Sequence, residues 1–325
     1  MLRRTLLAAS ALGLVFAAGA VQAQTKWDLP AGYAAGNFHT KNLVLFADEV
    51  KAKSGGKLEI TVHANASLFK ANEIKRAVQT GQAQIGEVLM VNVENEIPAF
   101  GADGVPFLAT SFPEAQKLWK AQKPVTDKKL AEQGMTALYA VAWPPQGVYA
   151  KKEINTIEDL KGIKWRAYSP ATSRIAELVG AQPVTIQAAE LAQALATGVV
   201  TSFMSSGSTG RDTKVWESLT HFYDTQAWLP KNMVIVNNEA LKKLDAATQK
   251  AVMDAAAAAE KRGWEMAVAE TDDAKKALVA GGMKVLPPSA ALAAGFKKVG
   301  ATMTEEWVKK AGADGAAIVD AFRKM

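Results

Sequence analysis

The residue in this chain best placed to do chemistry is Arg166. It stands in Ile163-Lys164-Trp165-Arg166-Ala167-Tyr168, a run that reads as a β-strand. Ser169-Pro170 follows, with Ser as helix N-cap and Pro at the first helical position. Strand alternation turns Trp165 and Ala167 one way and Lys164, Arg166 and Tyr168 the other. A planar guanidinium beside a helix start suits an anion, and it can grip a carboxylate through two parallel hydrogen bonds. The competing reading is an arginine at a sheet edge, paired with Glu158 or Asp159.

Other chemistries find little support. His39, His63 and His221 are far apart and show no metal-ligand spacing, so no metal is expected. Ser206-Gly207-Ser208-Thr209-Gly210 lacks the first glycine of a nucleophile elbow. The glycines form neither a dinucleotide fingerprint nor a phosphate loop, and no cofactor is expected. The chain has no cysteine, which removes disulfides and thiolate chemistry together. An enzyme is disfavoured on these grounds.

The elements around Arg166 repeat. In one half, Gly56–Val62 reads as a strand, Ala71–Thr80 as a helix stopped by Gly81, and Gln84–Met90 as a strand. In the other, Lys164–Tyr168 is the strand, Pro170–Val179 and Ala188–Thr197 are helices, Gly198 is the stop, and Val199–Met204 is the strand. The helix exits nearly match: Ala77-Val78-Gln79-Thr80-Gly81 against Ala194-Leu195-Ala196-Thr197-Gly198. Alternating helices and strands predict parallel units in two α/β lobes, whose ligand site lies in the cleft between them. Crossings between lobes are expected at Val141–Tyr149, around Pro144-Pro145, and near Lys231–Asn237. The Asp245–Ala280 pattern is too long for one lobe and predicts a helix spanning both. Pro287-Pro288 precedes a terminal pair of helices.

The totals agree with this layout. The 325 residues, 49% hydrophobic and 22% charged, fit a folded chain of two domains. Arg3 and Arg4, the apolar run Leu6–Ala20 and Val21-Gln22-Ala23 predict a Sec-type leader cleaved after Ala23, hence export to the periplasm of a bacterium. Removing those two arginines takes the formal charge from +6 to +4. No basic tract interleaved with aromatics appears, so nucleic acid is not an expected partner.

Taken together, these stretches resemble the substrate-binding proteins of tripartite ATP-independent periplasmic (TRAP) transporters, of the dicarboxylate and sialic-acid receptor type. The residues carrying the resemblance are Phe46–Val50 with Ser54–Ile60, Gly104–Leu108, Ile157–Arg166 and Ala194–Val200. The resemblance implies a type II periplasmic-binding-protein-like α/β fold, two lobes around a cleft with a long helix crossing both. The expected division is a leader over 1–23, lobe I over 24–146 plus about 234–273, and lobe II over 147–233 plus about 274–325. It also implies that Arg166 binds a ligand carboxylate and that the receptor, expected as a monomer, delivers it to small and large integral membrane subunits. The family asparagine that touches ligand falls on Ser205, and a second basic residue of some relatives falls on Gln146. With one cationic anchor, an aromatic or hydroxy monocarboxylate is expected. The alternatives are a dicarboxylate, a sugar acid, an exported enzyme or a sensory receptor. Phe38, Met90, Phe107, Trp143, Tyr149, Phe203 and Trp228 are the candidate walls of the pocket.

Overall fold

A computed structural model describes residues 24–325; the expected leader, 1–23, lies outside them. Strands β1 (Thr25–Pro30) and β2 (Leu58–His63) pair in parallel across helix α1 (Phe38–Lys53). Asn37 starts α1 by accepting the backbone N–H of His39. The short α2 (Ile74–Gln79) leads to β3 (Ile85–Leu89). A long α3 (Phe112–Ala131) then leads to β4 (Met135–Ala142). These two strands do not pair with each other. Strand β10 (Lys231–Asn237), which arrives much later in the chain, lies between them and is antiparallel to both.

The second sheet takes the intervening chain. Its strands are β5 (Gln146–Ala150), β6 (Lys164–Ala167), β7 (Gln182–Thr185), β8 (Ser202–Ser206) and β9 (His221–Tyr223), closed at one edge by β11 (Lys284–Leu286). Strand β6 is parallel to β7 and β8, whereas β5 is antiparallel to β8 and β9. Helices α4 (Pro170–Leu178), α5 (Leu191–Ala196) and α6 (Gly207–Asp212) connect the strands.

The sequence echo has a physical basis. Gly81 and Gly198 both adopt left-handed backbone, φ 76° and 68°. Thr80 and Thr197 each return a hydroxyl to the carbonyl four residues back, at 2.9 and 2.8 Å. In both halves the helix end is thereby sealed and the chain turned into the next strand.

The two sheets are joined where the chain crosses twice. Trp143 N–H donates to the Pro230 carbonyl (2.8 Å), and Gln146 N–H to that of Trp228 (2.9 Å), so the crossings run side by side. After a short α7 (Asn238–Lys242), helix α8 (Ala246–Ala280) covers 35 residues, about 50 Å at 1.5 Å per residue. Its first half rests on α1 and β4: Asn42 Nδ2 donates to the Ala259 carbonyl and Trp264 Nε1 to that of Ala140, both at 2.9 Å. Its second half meets α6 through Arg211 and Glu270 (2.7 Å). Gly263 permits the close approach, since a Cβ there would lie 2.4 Å from Val141 Cγ2.

The terminal pair of helices spans Ala290–Arg323, together α9, and the two join at Gly312, whose backbone is not helical (φ 56°, ψ −133°). Leu292, Phe296, Val299 and Met303 join the core around Trp165. Trp307, Ile318 and Val319 join the core under α3 and β4. The last helix therefore contributes to the interiors of both lobes.

Candidate functional site

Strand β6 delivers Arg166 to the cleft. Trp165 and Ala167 are buried in the core against α4 and α9. Arg166 takes the opposite face and is only 3% exposed. The strand ends where Ser169 caps α4: its Oγ accepts from Thr172 N (3.1 Å), while Thr172 Oγ1 accepts from the Tyr168 and Ser169 amides (2.9 Å each). That reciprocal box holds the Tyr168 backbone still.

The guanidinium is fixed on three sides. Its Nε donates to the Ile186 carbonyl (2.8 Å), and its carbon lies 4.9 Å from the Tyr168 ring centroid and 5.9 Å from that of Phe203. Among the described residues no carboxylate pairs with it, and its two terminal nitrogens have no protein partner. Asp159 instead caps Thr156 and Asn155 from its own turn (2.9 and 2.8 Å). Burial draws the arginine pKa down from its ordinary 12.5 to about 10. A buried cation without a counter-ion is costly, and a bound anion would relieve that cost.

Arg166 lines a pocket between the lobes. The first lobe contributes Tyr33, Leu89 and Asn92, and the crossings contribute Trp143 and Pro230. Gln146, Tyr168, Gln187, Ser205 and Thr209 complete the second-lobe side. The polar walls are braced. Gln146 Nε2 donates to the Pro144 carbonyl (2.9 Å), and its Oε1 accepts from the Tyr168 hydroxyl (3.2 Å). Trp143 Nε1 and the Tyr33 hydroxyl both donate to Asn232 Oδ1, at 2.9 and 3.3 Å. Ser205 donates to Thr209 Oγ1 at 2.9 Å.

A second space shares Tyr33, Trp143 and Thr209 with the first. Along its lining Asn37 Nδ2 donates to Asp212 Oδ2 (2.7 Å), joining the two lobes. Behind the first-lobe wall, Glu87 and His39 are buried 3.6 Å apart. Burial pushes the Glu87 carboxyl up to about 8 and holds the His39 pKa well down. Among the described residues no cluster of three or more His, Asp or Glu could hold a metal ion.

Of the residues singled out in the sequence, the structure brings Arg166, Ser205, Gln146 and Trp143 together around the pocket. The other six do not line it. Phe203 and Tyr149 stack on each other (4.5 Å) in an apolar cluster beneath α5. Phe38 lies behind Trp143, with ring centroids 5.4 Å apart. Met90 is core of the first lobe, Trp228 core of the second, and Phe107 sits against Gly300 of α9. Sequence reasoning did not select Tyr33, Asn92, Gln187 or Thr209. A helix-start or turn signal marks several of those positions, but none marks a pocket.

Two α/β lobes, a double crossing, a spanning helix and a polar interlobe pocket define a solute receptor of the periplasmic-binding-protein type. Residues 32–311 match the family model for bacterial extracellular solute-binding protein, family 7, the TRAP receptor family, and the chain belongs to that family. Two solved structures are similar. DctP6, a Bordetella pertussis extracytoplasmic solute receptor binding pyroglutamic acid, is 57% identical, with TM-score 0.92 over 93% of this chain and all of that one. A marine metagenome TRAP solute-binding protein specific for pyroglutamate is 48% identical, with TM-score 0.91 over 93% of this chain and 99% of that one. Among curated proteins, a solute-binding protein of Albidiferax ferrireducens is 26% identical over 258 residues, 77% of this chain and 75% of that protein. The family and these structural neighbours are receptors, not enzymes.

Proposed function

We propose that this protein captures pyroglutamate in the periplasm and hands it to the small and large membrane subunits of a TRAP transporter. The observation that carries the reading is the unpaired, buried Arg166 guanidinium facing a small pocket with no second free cation among its lining residues. One carboxylate fits that charge, and a dicarboxylate would leave a buried anion without a partner. Pyroglutamate adds to its carboxylate a neutral ring amide with one donor and one acceptor. Asn92 and Gln187 line the same space and make no side-chain hydrogen bond within the described protein, so their amide groups are available to the ring carbonyl. Tyr168 and Trp143 supply flat walls. The relatives at 57% and 48% identity, whose ligand is pyroglutamate, support this choice. It narrows the expected monocarboxylate to one whose ring carries an amide.

The lobes would close about the paired crossings at Trp143–Gln146 and Trp228–Lys231. Calorimetric titration tests the reading. Pyroglutamate should bind, whereas 2-pyrrolidinone, which lacks the carboxylate, and glutamate, which carries a second one, should give no measurable heat. Tighter binding of glutamate or of a uronic acid would overturn it.

A further inference from the structure

Hydrogen-bond direction around the pocket is fixed by one group that can only donate and one that can only accept. An indole N–H has no acceptor capacity, so the Asn232 atom 2.9 Å from Trp143 Nε1 must be its oxygen. The Tyr33 hydroxyl meets that same oxygen at 3.3 Å and must therefore give its proton to it. On the opposite lobe, the Pro144 carbonyl can only accept, so the Gln146 atom 2.9 Å from it is Nε2. That leaves Oε1 to take the Tyr168 proton at 3.2 Å. Burial raises the pKa of both phenols, so neither proton is lost near neutral pH.

Both hydroxyl protons are thus committed to the amide oxygens of Asn232 and Gln146. What Tyr33 offers the pocket is a lone pair; the Tyr168 oxygen offers one too, beside the buried Trp228 indole N–H that also faces it. Tyr33 and Tyr168 face the space beside Arg166 from the two lobes. A ligand whose carboxylate is held by the guanidinium will bring the atom next to its α-carbon toward them.

Resting on the pyroglutamate reading and extending it, we infer that Tyr33 and Tyr168 select for a ligand N–H adjacent to the carboxylate. Acceptance by tyrosine oxygen, and not ring shape alone, is then the source of discrimination. An isosteric ring with oxygen in place of N–H would set lone pair against lone pair. A site built around a ligand hydrogen bond rejects such an analogue steeply.

The experiment compares pyroglutamate with its lactone analogue, in which ring oxygen replaces the N–H, on wild type, Tyr33→Phe and Tyr168→Phe. Wild type should prefer the lactam by about a hundredfold or more. In at least one phenylalanine variant that ratio should collapse to within about fivefold through weaker lactam binding, because the loss of one hydroxyl removes the acceptor for the lactam alone, while its lost donation to Asn232 or Gln146 affects both ligands equally. Lactone affinity, anchored by Arg166, reports that the variant is folded. Wild type binding both compounds alike, or a ratio surviving both substitutions, overturns this inference while leaving pyroglutamate as the ligand. Wild type binding neither removes the pyroglutamate reading, and this inference falls with it.

Discussion

Replacing Arg166 with methionine separates the stability of the receptor from its affinity, and the two should move independently. Burial draws the arginine pKa from 12.5 to about 10. At about 1.4 kcal/mol per pKa unit, the ligand-free site disfavours the charged side chain by roughly 3 kcal/mol. Methionine removes that cost and keeps an unbranched chain against Tyr168 and Phe203. It forfeits the hydrogen bond to the Ile186 carbonyl, about 1 kcal/mol, and the guanidinium–ring contact, about 1–2 kcal/mol. The opposing effects nearly cancel. Ligand-free Arg166→Met should melt within about 3 °C of wild type, since 1 kcal/mol corresponds to about 2–4 °C at this domain size. Binding should fall by about 3–5 kcal/mol, because a ligand carboxylate would then be buried without its partner. Thermal melts with and without pyroglutamate measure both quantities in one assay. Two results refute the reasoning: a ligand-free protein destabilised by much more than about 2 kcal/mol, which would make the arginine structural, or an undiminished ligand-induced shift.

Three further perturbations follow from the geometry. Glu87 has its pKa raised from 4.5 to about 8, so the native state holds a proton that the unfolded chain releases above pH 4.5; its stabilising contribution is therefore full below that pH and lost as pH rises toward 8. Glu87→Gln should flatten urea-denaturation stability between pH 5 and 8, by on the order of a few kcal/mol relative to wild type, and parallel profiles would sink the idea. Asn37→Asp keeps the α1 cap but sets two carboxylates against each other between the lobes, so stopped-flow release of pyroglutamate should quicken by about tenfold. The double variant Asn37→Asp, Asp212→Asn restores a donor–acceptor pair and should recover the slow release; failure to recover would show that the contact does not hold the lobes. Gly263→Val should lower stability by about 1–3 kcal/mol through collision with Val141, and an unchanged melting temperature would contradict the close approach of α8.

Local signals made the frame and the anchor legible. Period-two alternation and the Ser-Pro cap place Arg166 on one face of a strand that stops at a helix start. The repeated Thr-Gly exits and the uninterrupted length of α8 are likewise local, and they mark two lobes and a span. What a strand pattern does not encode is how far along the strand the core gives way to the cleft. Phe203 and Ser205 share a face of β8, yet Phe203 lies beneath α5 and Ser205 two residues on reaches the pocket. Tyr33 comes from a bend after β1 and Asn92 from the single 3₁₀ turn Met90–Val93 after β3, both too short for a periodicity to aim them. Asn232 meets Trp143 across 89 residues of sequence, a pairing set by the second crossing and by nothing nearby.

The position of β10 constrains how the chain becomes folded. The first lobe's three-stranded sheet is threaded through its middle by residues 231–237, so β3 and β4 have no ladder partner until that segment is available. The second sheet draws five of its six strands from the contiguous stretch 146–223. During synthesis β3 and β4 must wait as unpaired edges, whereas β1 and β2 can pair with each other and β5–β9 can form most of the second sheet. Non-local pairing of this kind carries a loop-closure cost that slows folding. Neither sheet is complete within its own contiguous stretch: the first waits for β10, and the second takes its edge strand β11 from residues 284–286, after the long α8.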